Sequence, residues 1–276
     1  MRELLIVANE TLSSARLREA VLQRQAVHDS VHARLVVPQQ RPRRGSVVYL
    51  ETVRSAAQVR LDLALAVLED EGIEATGQVG DYDPFLATID AVASRRPDEI
   101  VISTFPAGTS RWLRRHLVER VADATGLPVT HVVDDVKRDE ACYDTSLVIA
   151  NRTADSDELR EHLADMPDPG GSHRFIVVVP QRDRDGAATA VARAHLDLVL
   201  SHLREAGLLV AGTIGDPDAF TATMNALQLF RVDRVIISTL PATRSGWLRA
   251  DLIERVRRST ACPVEHVLTS DAVVVG

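Results

Sequence analysis

Asp98-Glu-Ile-Val-Ile-Ser-Thr-Phe-Pro-Ala-Gly-Thr-Ser-Arg-Trp-Leu-Arg114 returns later in the chain as Asp233-Arg-Val-Ile-Ile-Ser-Thr-Leu-Pro-Ala-Thr-Arg-Ser-Gly-Trp-Leu-Arg249. The match runs on to Val133 and Leu268, with 19 identities in 36 positions at a constant offset of 135. Identity of that density at one offset is duplication. Upstream, Leu5-Ile-Val-Ala-Asn9 returns as Leu147-Val-Ile-Ala-Asn151, and Val36-Val-Pro-Gln39 as Val178-Val-Pro-Gln181, both at an offset of 142. The first copy therefore carries an insertion, placed between Gln40 and Thr52. Two domains are expected, 1–138 and 144–276, joined through the polar stretch Asp134–Thr145.

Within each copy the hydrophobic period alternates. Glu3–Ala8, Ala33–Val37, Glu74–Val79, Glu99–Ser103 and Pro128–Val133 are short apolar runs that read as buried strands. Between them, Ser13–Gln25, Ser55–Glu71, a segment opening at Asp83-Pro84, and Ser110–Ala124 carry helical spacing. Asp83 is placed to cap and Pro84 to occupy the first turn. Asp155-Ser156-Asp157-Glu158 opens the matching first helix of the second copy, and Gly72 suits a helix C-terminus. This βαβαβαβαβ order predicts an α/β fold of two doubly wound, Rossmann-like domains, each a mostly parallel sheet with helices on both faces. The apolar tail Ala272–Val275 is a candidate additional strand.

Composition narrows the function classes. The 276 residues are 45% hydrophobic and 26% charged, with a formal net charge of −7. That excludes a disordered chain and argues against nucleic acid as a partner, since phosphate backbones demand a cationic face. No run approaches the ~18 apolar residues of a membrane span, so no membrane partner is expected. Cys142 and Cys262 are too few for a disulfide framework or a zinc site, and a cytoplasmic location is the expectation.

In an open doubly wound sheet, ligands bind past the carboxyl ends of the strands where the winding reverses. The candidate ligand-binding residues of the first copy are Asn9 after the first strand, then Ser103, Thr104, Gly108, Thr109, Ser110 and Arg111 after the fourth. In the second copy they are Asn151, Ser238, Thr239 and Ser245. Hydroxyls, an arginine and a helix N-terminus can hold an anion. The structural alternative makes Ser110 and Ser245 helix caps and Ser103 and Thr104 turn hydroxyls. Trp112 and Trp247 read as packing residues, and His131 and His266 as core or interface residues. No nucleophile elbow, phosphate-loop lysine or spaced acid–base pair is present, so no catalytic or metal-ligating residue is assigned.

Leu-Leu-Ile-Val-Ala-Asn9, Val79-Gly-Asp-Tyr-Asp-Pro84, Glu99-Ile-Val-Ile-Ser-Thr104, Leu117-Val-Glu-Arg-Val121 and Leu127-Pro-Val-Thr-His-Val132 stand in an order and spacing that resembles a universal stress protein domain, twice over. The resemblance implies the strand order 3-2-1-4-5 and intramolecular domain pairing through the fifth strands, with a homodimer as a further association. It implies ATP or AMP as the cofactor to consider. ATP-binding members carry Asp where this chain has Asn9 and Asn151, and a Gly-x-x-Gly, nine residues, Gly-Ser/Thr cradle. Here only Gly108 and Gly246 remain, and the last pair falls on Arg115-His116 and Ala250-Asp251. The expectation is a non-enzymatic stress or regulatory protein with little or no ATP affinity. The alternatives are a nucleotide or small-anion binder using the Ser/Thr loop with Arg111, Arg114 or Arg115, and then a nucleotide-handling hydrolase.

Overall fold

The computed structural model describes residues 1–12, 14–28, 30–39, 50–106, 110, 112, 116–134, 144–166, 173–183, 185–241, 245–249 and 251–270. The chain divides into two compact units, Met1–Cys142 and Tyr143–Gly276. Residues 40–49 of the segment assigned to the insertion, much of the connecting stretch and Ala272–Val275 lie outside the described residues, while residues 50–52 open a helix.

Unit 1 runs β1 (Arg2–Val7), α1 (Ala15–Val27), β2 (Val31–Pro38), α2 (Leu50–Asp70), β3 (Glu74–Gly80), α3 (Pro84–Ser94), β4 (Glu99–Thr104), α4 (Leu117–Thr125) and β5 (Val129–Val133). Unit 2 runs β6 (Thr145–Ile149), α5 (Asp157–Ala164), β7 (Arg174–Pro180), α6 (Gly186–Glu205), β8 (Leu209–Gly215), α7 (Ala219–Leu229), β9 (Arg234–Thr239), α8 (Gly246–Arg249), α9 (Leu252–Ser259) and β10 (Val264–Leu268). All strand pairs are parallel, in the orders β3-β2-β1-β4-β5 and β8-β7-β6-β9-β10. The expected fold class and strand order are both present.

The helix starts follow from their caps. Ser14 and Ser156 each accept a hydrogen bond from the backbone N–H three residues on, at Leu17 and Leu159. Asp83 caps α3 by accepting from the Phe85 N–H, two residues on, and Asp218 caps α7 by accepting from the Thr221 N–H, with Pro84 at the first turn of α3. Each such cap satisfies one of the four donors a helix leaves open and stabilises by about 1 kcal/mol.

Each sheet is buried on both faces, as parallel sheets must be. In unit 1, Leu4, Ile6, Ala8, Val101 and Val132 pack with Leu17, Val21, Ala57 and Leu61 of α1 and α2. Leu5, Val7, Ile100 and Ile102 pack on the other face with Ala87, Ala91, Leu117 and Val121 of α3 and α4. Glycines set how closely the helices approach. A Cβ on Gly77 would collide with Leu61 Cδ1, and one on Gly80 would stand 2.6 Å from Ala87 Cβ. Gly212 and Gly215 repeat the arrangement in unit 2.

The amino ends of the central strands carry charge, in opposite arrangements. Glu99 accepts from Arg24 Nε at 3.1 Å and from Thr130 Oγ1 at 2.8 Å, with Arg2 at 3.6 Å. Burial pushes its pKa up, but the Arg24 and Thr130 hydrogen bonds and the Arg24 and Arg2 charges outweigh that and hold it below the usual carboxylate range. In unit 2 the equivalent position is Arg234, which donates to Glu265 at 2.7 Å, with His162 at 3.3 Å from the same carboxylate.

Gly212→Ala places a Cβ 2.7 Å from the Val177 carbonyl oxygen and 2.8 Å from Leu196 Cδ1. We expect it to destabilise by about 1–3 kcal/mol in urea denaturation. Gly186→Ala, at the open first residue of α6 with nothing within 4 Å, is expected to stabilise by about 0.5 kcal/mol.

Candidate functional site

The winding reverses between β1 and β4 in unit 1 and between β6 and β9 in unit 2, so the crevice predicted for this topology lies at their carboxyl ends. In each unit a threonine closes the base of that crevice. Thr11 Oγ1 donates to the Ser103 carbonyl at 3.1 Å, and Thr153 Oγ1 to the Ser238 carbonyl at 3.1 Å. Asn9 and Asn151 tie the same turn to the next strand, their Nδ2 groups donating to the carbonyls of Pro38 and Pro180. Their own carbonyls accept from Leu12 and Ala154, completing the turn. The asparagines thus serve the turn through nitrogen, while Asn9 Oδ1 is buried without a hydrogen-bond partner.

Ser103 and Thr104 are neighbours with opposite environments, because successive strand residues point to opposite faces. Thr104 Oγ1 donates to the Phe105 carbonyl at 2.8 Å and lies 2.9 Å from His131 Nε2. Thr239 repeats this with Leu240 and His266, at 3.0 and 2.9 Å. A hydroxyl has one proton; with that proton on the carbonyl, the imidazole must donate through Nε2–H. Burial lowers the pKa of both histidines, opposed at His131 by Glu119 and reinforced at His266 by Arg257. Both rings are thereby favoured neutral and oriented by a threonine. Ser103 Oγ and Ser238 Oγ, on the other face, are buried and have no partner.

A basic group from the second helix of each unit belongs to the same end of the sheet, and sequence reasoning missed it. Burial lowers the Arg60 pKa to about 10, with Glu10 opposing. At the equivalent position of α6, His195 Nε2 donates to the Asn151 carbonyl at 3.0 Å. Thr11 and Thr153 were also unassigned, although Asn-x-Thr recurs at the 142-residue offset and is the signal that could have found them.

The expected helix Ser110–Ala124 is corrected. α4 begins at Leu117, after His116 in the left-handed conformation with φ 51°. In unit 2, α8 and α9 are separated at Asp251, φ 53°. A left-handed residue cannot continue a right-handed helix. Ser110 is therefore not the cap of α4; its N–H closes a turn to the Pro106 carbonyl at 2.8 Å, as Ser245 does to Pro241 at 2.9 Å. Ser245 directly precedes the short α8. Trp112 packs against the α3–α4 face of the core. Gly108, Thr109, Arg111, Arg114, Arg115 and Ala250 lie outside the described residues. Among the described residues there is no metal-holding group of His, Cys, Asp and Glu, and no helix long and apolar enough to cross a membrane.

No family model matches the chain, and no curated protein does. Among solved structures, the chain is similar to a universal stress protein from Archaeoglobus fulgidus, at 15% identity and TM-score 0.36, covering 98% of this chain and 97% of that one. It is also similar to a universal stress protein family protein from Arabidopsis thaliana with AMP bound, at 15% identity and TM-score 0.35, covering 49% of this chain and 94% of that one.

Two outcomes are expected. Thr11→Val, which deletes a made hydrogen bond, should cost about 1 kcal/mol in urea denaturation, whereas Ser103→Ala and Ser238→Ala should be neutral or stabilising by up to about 1 kcal/mol. Separately, His131 and His266 have folded pKa values below that of the unfolded chain, about 6.5. Their stabilisation is fully present above that value and is lost as the pH falls through the folded pKa. Between about pH 7.5 and pH 5.5 the urea midpoint of the wild type should therefore fall relative to that of His131→Gln/His266→Gln, while His202, whose pKa Asp155 raises, contributes with the opposite sign to both chains.

Proposed function

We propose that the chain is a non-enzymatic regulatory protein of the universal stress type, built from two versions of one binding domain. The observation that carries this reading is the chemistry at the two switch points. The amides of Asn9 and Asn151 and the hydroxyls of Thr11, Thr153, Thr104 and Thr239 are spent on backbone carbonyls, and His131 and His266 are each held by a threonine. Such groups shape a site; none is poised as a nucleophile with an adjacent base. Stress response is the physiological setting we infer, from the sequence pattern repeated in both copies.

A second reading, binding of a nucleotide or small anion by the first copy, is favoured by one specific observation. Among the described residues, Asn9 Oδ1 and Ser103 Oγ are both buried and unpartnered at the first switch point, whereas Ser238 Oγ alone is so at the second. A polar ligand or water that satisfied both would recover about 1–3 kcal/mol per group.

Calorimetric titration of the full chain with ATP, AMP and phosphate tests both readings. We expect no ATP hydrolysis and no ATP binding tighter than about 100 µM. Micromolar binding abolished by Asn9→Ala or Ser103→Ala would replace the first reading with the second; measurable turnover would overturn both.

A further inference from the structure

Helix α6 turns an apolar face to solvent. Its core side is Ala192, Leu196, Val199, Leu200 and Leu203. On the opposite side Val191 is 67% exposed and Leu198 is 42% exposed. These side chains stand two turns apart, and Ala187, Ala190 and Ala194 between and before them are also exposed. A solvent face of a helix is ordinarily polar. The duplication supplies an internal comparison. The positions of α2 that match Val191, Ala194 and Leu198 are Ala56, Val59 and Leu63, and all three are buried. The same helix face is therefore buried in one unit and exposed in the other.

We propose that the α6 face is a homodimer contact, formed by antiparallel packing of α6 against α6 of a second copy of this chain. Charge complementarity selects that occupant. Arg193 and Asp197 lie on the same flank of the apolar seam, four residues apart and both exposed. In an antiparallel pair centred between Ala194 and His195, Val191 of one copy meets Leu198 of the other. The same centre brings Arg193 within one residue of the second copy's Asp197, on both sides of the two-fold axis. A two-fold contact must be self-complementary in this way, and here both the apolar and the charged pairs share one centre. The alanines let the helix axes approach closely. A seam along one helix of 20 residues, about 30 Å long, buries less than the roughly 1,000 Å² typical of stable complexes, so the dimer is weak and concentration-dependent.

Sedimentation velocity on the full chain tests this. The wild type is expected to dimerise reversibly with a Kd of about 10–100 µM. Leu198→Asp should weaken the dimer at least about tenfold, Arg193→Asp should weaken it by setting two carboxylates together, and Arg193→Asp/Asp197→Arg should restore it. Far-UV circular dichroism confirms that each exposed substitution leaves the fold intact. A chain that stays monomeric at about 200 µM overturns the proposal. So does a dimer indifferent to Leu198→Asp, which points to a different contact surface, or a double reversal that fails to restore association, which rules out the antiparallel register.

Discussion

A parallel strand at the centre of a sheet has no surface of its own to give to water, and β1 and β6 are such strands. Both are flanked by strands on each side, and Thr145–Ile149 is buried throughout. Everything else follows from covering them. Helices must lie on both faces, the crossovers must be right-handed, and the chain must reverse its winding beside the central strand. The turn after that strand is consequently the place where backbone carbonyls from three strands converge. Asn9, Thr11 and their counterparts are the residues that satisfy those carbonyls.

The fold was legible because its constraints act on residue type. Buried strands demand apolar runs and helix starts demand Ser or Asp; the close helix–strand approach at Gly77, Gly80, Gly212 and Gly215 emerges only from the packing. The break before α4 was not legible. Trp112, Leu117 and Val121 all enter the same apolar cluster, so their spacing reads as one helix. The left-handed residues that interrupt it are His116 and Asp251, whose identities carry no glycine-like signal. Asp and His tolerate that conformation better than most side chains, and the surrounding packing selects it.

The candidate site was legible in location and opaque in detail. Ser103 and Thr104 are interchangeable as text, yet strand alternation sends one hydroxyl to His131 and leaves the other unpartnered. Pairing of Thr104 with His131 depends on the register of β4 against β5, a long-range quantity that local pattern does not encode. The Arg60 position likewise requires knowing which turn of α2 overlies the end of β1. Asparagine at positions 9 and 151 stands where the ATP-binding members of the family that the sequence resembles carry aspartate. The structure adds that its amide nitrogen is committed to the neighbouring strand, a bond an ionised aspartate could not donate.

The inverted charges at the amino ends of β4 and β9 bear on how a duplicated chain reaches its own fold. Two halves this alike invite a strand of one to insert into the sheet of the other, a characteristic misassembly of repeat proteins. Placing β4 in the second sheet would set Glu99 against Glu265. Placing β9 in the first would set Arg234 beside Arg24 and Arg2. Each exchange trades an attractive contact for a repulsive one at the amino end of a strand, and discrimination between similar partners commonly rests on such repulsion. The divergence of one buried charge and its partner thus gives each half an address, so that sequences close enough to be confused are sorted during folding.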